Sequence, residues 1–144
     1  MQFSSFRTET LSFRSLFGNG LFYTVPTFQS DYNCSLKVLD ELWADVISAV
    51  DSDEKYYQGI VLLKEHDSRN IEVLLDQQKL TALTLLVLSV IQNLKSLADD
   101  QEDAEQNLVR INQIWHSFIS NLDPVILKER YKLSLNKHDN DYCF

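Results

Sequence analysis

The residues of this chain best placed to do chemistry are Asp76-Gln77-Gln78-Lys79. They follow an apolar run, residues 71–75, that reads as a strand, and they precede Leu80, where a long apolar segment reads as a helix. A strand-to-helix junction is a natural seat for an anion. The first backbone N–H groups of a helix have no partners inside it, and the helix dipole places partial positive charge there. Two amides and a lysine add donors and a cation. The plainer reading is a polar loop that opens a core helix, since most helix starts hold only a capping side chain.

Other constellations are weaker. With three glycines the chain has no Gly-rich phosphate loop of Walker type, and no nucleophile elbow. His66, His116 and His138 are far apart and lack metal-ligand spacing. His138 has Asp139 and Asp141 beside it, but the run 136–141 reads as a solvated turn, so no metal site is expected. Cys34 and Cys143 also lack metal spacing and suggest a reducing cytosol rather than a disulfide scaffold.

The elements that must position the loop can be read from periodicity. Residues 1–9 read as loosely held and residues 10–16 as an ambiguous short element. Gly18-Asn19-Gly20 is a turn, and residues 21–28 alternate as a strand whose Pro26 belongs at an edge or end. Ser35 is the expected cap of a first helix. Its apolar stripe is Leu36, Leu39, Leu42, Trp43, Val46, Ile47 and Val50, and Asp51-Ser52-Asp53 ends it. Residues 58–64 and 71–75 form a strand pair around the hairpin loop 66–70. A helix over about residues 79–97 is apolar on nearly every side and is expected to be the central, buried helix.

The next helix is expected to start at Asp99-Asp100. Its buried face would be Leu108, Ile111, Ile114, Trp115, Phe118, Ile119 and Leu122. The acidic cluster Asp99, Asp100, Glu102, Asp103 and Glu105 would then lie at its N-terminal end, where the dipole favours negative charge. A partner patch or a DNA-mimic surface is the other reading of that cluster. Pro124 opens a short turn or helix, and residues 131–135 alternate as a strand.

Four blocks of this sequence, in order, resemble one family. Residues 74–83, LLDQQKLTAL, are similar to the "IDGQQRLTTL" run of the GmrS family, the ParB/sulfiredoxin-like domain at the N-terminal end of GmrSD-type (type IV) restriction enzymes. Gln77, Gln78, Leu80, Thr81 and Leu83 match. Leu75 stands at the family's aspartate, Asp76 at its glycine and Lys79 at its arginine. Residues 24–34 resemble the family's "IPxFQRxYxW". Pro26, Phe28, Gln29 and Tyr32 match, while Ser30 replaces arginine and Cys34 tryptophan. Residues 56–63, YYQGIVLL, are similar to "YFLGSIVL". In the last block Leu133, Leu135 and Asp139 fit "L-x-L-x-x-x-D-x-x-x-F", with Phe144 one position late.

The resemblance implies an α+β fold, a small mixed sheet packed on several helices in the ParB/sulfiredoxin-like manner. It implies one domain over residues 1–144, about 10–144 covered by the resemblance, that is expected to end inside the family domain. In the family the DGQQR-type loop is associated with nucleoside-triphosphate binding and hydrolysis. Carried over, Gln77, Gln78, Lys79 and Thr81 would line a phosphate site with Gln29 facing them, and magnesium would accompany the nucleotide. Ser30, Cys34, Leu75 and Asp76 are degraded family positions. Lys79 offers a point charge instead of a bidentate fork, and Asp76 adds negative charge where backbone should approach closely. At roughly 1.5–3 kcal/mol for each hydrogen bond to a charged group, these changes cost several kcal/mol of anion binding. Hydrolysis is therefore expected to be absent and nucleotide binding weak or lost. No cofactor is required on this reading.

Composition bounds the rest. A length of 144 residues, 44% hydrophobic and 24% charged, suits one domain with a core. A formal net charge of −8 argues against DNA binding by this chain alone. No signal peptide is expected, and the apolar stretch 80–91 falls short of the roughly 20 residues of a membrane span. The expectation is a cytoplasmic protein without a nuclease domain. It would be a stand-alone GmrS-like domain, in a phage-defence or counter-defence setting, that binds a protein partner or itself. The alternative is a nucleotide-dependent subunit of a split, modification-dependent restriction system.

Overall fold

The computed structural model describes residues 6–26 and 36–135, and the fold is α+β. Ser12 caps the five-residue helix α1 (Phe13–Phe17), its hydroxyl accepting from the Ser15 N–H. The Gly18–Gly20 turn is tied back by Tyr23, whose hydroxyl donates to the Leu16 carbonyl at 2.6 Å and accepts from Asn19. Strand β1 (Phe22–Thr24) follows. It is shorter than the expected 21–28. Val25 and Pro26 are buried beyond it, and residues 27 and 28 lie outside the described residues.

Helix α2 (Leu36–Ser52) ends where Asp53 turns to φ 54°. β2 (Leu62–Glu65) and β3 (Asn70–Leu75) form the expected hairpin. β2 starts later than position 58 because Gly59, at φ +112°, breaks the extended path. Asp67 closes the loop: Oδ1 accepts from the N–H groups of Arg69 and Asn70, both at 2.9 Å. These bonds hold its carboxyl down at about 2.

One sheet has the strand order β2-β3-β1-β6, where β6 is Leu133–Ser134. β1 lies between β3 and β6, parallel to both, with Tyr23 opposite Ile71 and Leu133. Its core is Phe17, Tyr23, Val25, Ile71, Val73, Leu80, Leu133 and Leu135. Burying such side chains is worth about 1.5–3 kcal/mol each. Leu80 comes from α3 (Gln77–Asp99), which runs past both expected ends.

Two expectations about the helices are corrected. α3 is not buried throughout. Leu80, Ala82 and Ile91 are buried, whereas Val90 and Leu97 are exposed. With 23 residues it is long and apolar enough by length and composition to cross a membrane. The expected helix from 99 to 122 is also broken. α4 (Ala104–Ile114) passes into a π-turn, Trp115–Ile119, and then into β4 (Ser120–Asp123), which pairs antiparallel with β5 (Lys128–Tyr131). Leu108 and Leu122 are therefore 58% and 57% exposed, not core residues. Asp99 ends α3 and Asp100 caps it, so this part of the acidic cluster sits at a negative helix end and not at the start of α4. The expected strand 131–135 is divided between β5 and β6, with Lys132 at the bend.

Candidate functional site

Strand β3 delivers the loop and α3 receives it. The chain leaves Leu75 and turns at Asp76, which has left-handed backbone angles of φ 66° and ψ 36° and makes no side-chain cap bond. Glycine adopts that conformation without cost, and aspartate is among the few other residues that tolerate it. Gln77 then opens the helix, nine-tenths buried, with Gln78 half-buried beside it. Thr81 is fully buried, and its hydroxyl donates to the Gln77 carbonyl at 2.8 Å. Its oxygen stabilises the first turn of α3 and is turned away from solvent.

Lys79 is the cation of the site, and the protein itself occupies it. Nζ donates to the Gln58 carbonyl at 2.7 Å and lies 3.0 Å from Oδ2 of Asp76. The two side chains are 39% and 20% exposed. Gly59 makes this approach possible: a Cβ there would sit 2.8 Å from Nζ, and its φ of +112° already favours glycine. Gln58 and Gly59 were missing from the expected site residues. Their signal was the glycine inside an apolar run, which marks a close approach of backbone to another group. The Gln58 carbonyl and the Asp76 carboxylate both engage the ammonium, and Asp76 sets negative charge beside any incoming phosphate. Leu75, 55% exposed, supplies no carboxylate to polarise water or hold a metal.

Gln29, Ser30 and Cys34 lie outside the described residues, as do His138, Asp139 and Cys143. Gln77, Gln78, Lys79 and Thr81 are contiguous at the start of α3. Of these, Gln78 and Lys79 reach solvent. Among the described residues no group of His, Cys, Asp or Glu could hold a metal ion.

Two polar centres were invisible in the sequence. Lys132 is 2% exposed, and its Nζ donates to the carbonyls of Phe17 at 2.7 Å and Ser117 at 2.9 Å. It joins the end of α1 to the π-turn, where Phe13 stacks on Phe118 at 5.4 Å. Burial pushes its pKa below the ordinary lysine value. Asp123 accepts from the N–H groups of Val125 and Ile126 and pairs with Arg69 at 3.3 Å and Arg130 at 3.5 Å. The bonds from the backbone N–H of Val125, first, and of Ile126, together with the two arginines, lower its pKa against the opposing effect of burial. Arg130 also covers the Phe22 ring at 4.3 Å.

Helix α2 carries the expected apolar stripe, and none of its residues is fully buried. Leu36 is 78% exposed, Trp43 55% and Val50 73%. Trp43, Ala44, Ile47, Ser48, Asp51 and Ser52 lie side by side on the open surface of this helix. Leu39, Leu42 and Val46 of the stripe are half-buried, while Leu36, Trp43, Ile47 and Val50 stand exposed.

No protein-family model matches this chain, and no curated protein is significantly similar to it.

Proposed function

We propose that this chain is a degenerate GmrS-like domain that acts by binding a protein partner, as a component of a phage-defence or counter-defence system in the cytoplasm, and that it does not cleave DNA by itself. The observation that carries the binding half of this reading is the exposed stripe Leu36, Trp43, Ile47 and Val50 on α2. The family half is supported by the sheet. Its neighbouring strands β2, β3, β1 and β6 each hold part of one of the four resembling blocks, and Gly59 of one block meets Lys79 of another. On this reading the α+β fold is of the ParB/sulfiredoxin-like kind. The Asp76–Lys79 pair supports a phosphate loop that no longer turns over nucleotide.

The test is the surface itself. An apolar-surface dye should bind the protein and fluoresce, and the double substitution Trp43→Glu with Ile47→Glu should remove that signal while the circular dichroism spectrum is unchanged. A wild-type chain that leaves the dye dark, and is monomeric by light scattering, would sink the docking reading.

The competing reading is a nucleoside-triphosphate-binding subunit of a split restriction system, using magnesium. One observation favours it: Lys79 stands in the first turn of the 23-residue helix α3 and is partly open to solvent. A thermal shift with triphosphate and magnesium that Gln78→Ala abolishes would establish it.

A further inference from the structure

The apolar stripe of α2 carries more than exposure, and the identity of its occupant rests on the docking reading above. The exposed Leu36, Trp43 and Val50 recur every seven residues with the exposed Ile47 beside them, while Leu39 and Val46, at the second apolar position of the heptad, are half-buried. Seven-residue spacing is the pattern of a helix that packs lengthwise on another helix. The 17 residues of α2 offer such a partner a seam of about 25 Å.

Charge then selects the partner. Leu36–Ser52 holds four carboxylates, Asp40, Glu41, Asp45 and Asp51, against the single cation Lys37. Lys37 is drawn to Glu41 at 3.8 Å, and Asp45 accepts the Tyr56 hydroxyl. Asp40 and Asp51 lie one helical row from the stripe and have no ion-pair partner among the described residues. Parallel self-pairing of α2 would set these carboxylates against their own copies, and any self-pairing would bring together two chains of net charge −8. We propose that α2 docks a basic amphipathic helix of a different protein. The partner's apolar seam lies on Leu36, Trp43, Ile47 and Val50, and its lysines or arginines face Asp40 and Asp51. Such pairs set orientation and exclude wrong partners more than they add affinity.

Two designed probe helices of about 21 residues test this, each with a leucine seam, one flanked by lysines and the other by glutamates. Titrated into the full chain, the lysine probe should bind more tightly than the glutamate probe by about tenfold or more at low salt. Asp40→Lys with Asp51→Lys should reverse that order, and Trp43→Glu should abolish binding of both. Equal binding of the two probes, or an order unchanged by the charge reversal, overturns the basic partner and leaves the docking reading standing. Dimers in sedimentation that Trp43→Glu dissolves would also overturn it, since a second copy would then be the occupant. If neither probe binds and the dye signal is indifferent to Trp43→Glu, both the partner and the docking reading fall.

Discussion

The ammonium of Lys79 lies 3.0 Å from the carboxylate of Asp76, three residues before it, and this pair fills the only cationic position of the strand-to-helix loop. A phosphate arriving there meets the negative charge of Asp76 beside the lysine. The αL backbone at Asp76 is one that glycine would hold without a side chain. Asp76→Gly is therefore expected to remove the competing carboxylate from Lys79, which keeps its bond to the Gln58 carbonyl, while preserving the turn. Its affinity for a nucleoside triphosphate, measured calorimetrically, should exceed that of the wild type. Equal heats from the two proteins would show that Asp76 does not weaken nucleotide binding at this loop.

Lys132 predicts a cost in stability. Lys132→Met removes the donor to the Phe17 and Ser117 carbonyls and keeps the apolar stem. Losing those bonds should destabilise the fold by about 1–3 kcal/mol, the penalty of leaving buried acceptors unpaired, offset in part by removing a desolvated charge. Urea unfolding checks it. A variant as stable as the wild type would mean that the two carbonyls do not depend on Lys132.

The β2–β3 hairpin was legible because Asp67 and Asn70 carry turn chemistry between two apolar runs. The start of α3 was legible from the polar break before Leu80. The end of α4 was not: residues 111–122 keep helical spacing, yet Ser120 switches to extended backbone because β5 offers it a partner strand. Burial of Lys132 depends on carbonyls 115 and 15 residues away, which no local pattern reveals. The α2 stripe was visible, but amphipathic spacing does not say whether water or protein meets it. In the loop, Gln77 through Thr81 were visible as residue types. The fate of Lys79 was not, because it depends on Gly59 lying against it.

The hairpin should loosen in acid. The carboxyl of Asp67 is held at about 2 against an ordinary value of 3.8. Its contribution is then fully present above the ordinary value and is lost as pH falls through that value toward the folded one. Amide exchange or chemical shifts at Arg69 and Asn70 should report this, and Asp67→Asn should blunt the pH dependence. A hairpin unchanged throughout that window would contradict the role given to Asp67.

Asp123 should matter to the β4–β5 hairpin. Asp123→Ala leaves Arg69 and Arg130 without their shared carboxylate and uncaps the Val125 and Ile126 N–H groups. Faster amide exchange at Val125 and Ile126 and a lower unfolding midpoint are expected. Exchange rates equal to the wild type would show that β4–β5 pairing alone fixes the turn.

The most direct test of the proposal that the loop at the start of α3 binds no nucleotide is isothermal titration of the folded protein with a panel of nucleoside triphosphates plus magnesium, with Gln78→Ala beside it. Silence across the panel is the predicted result and leaves protein docking as the mode of action. Binding that vanishes in Gln78→Ala would contradict it and place a working nucleotide site at the start of α3.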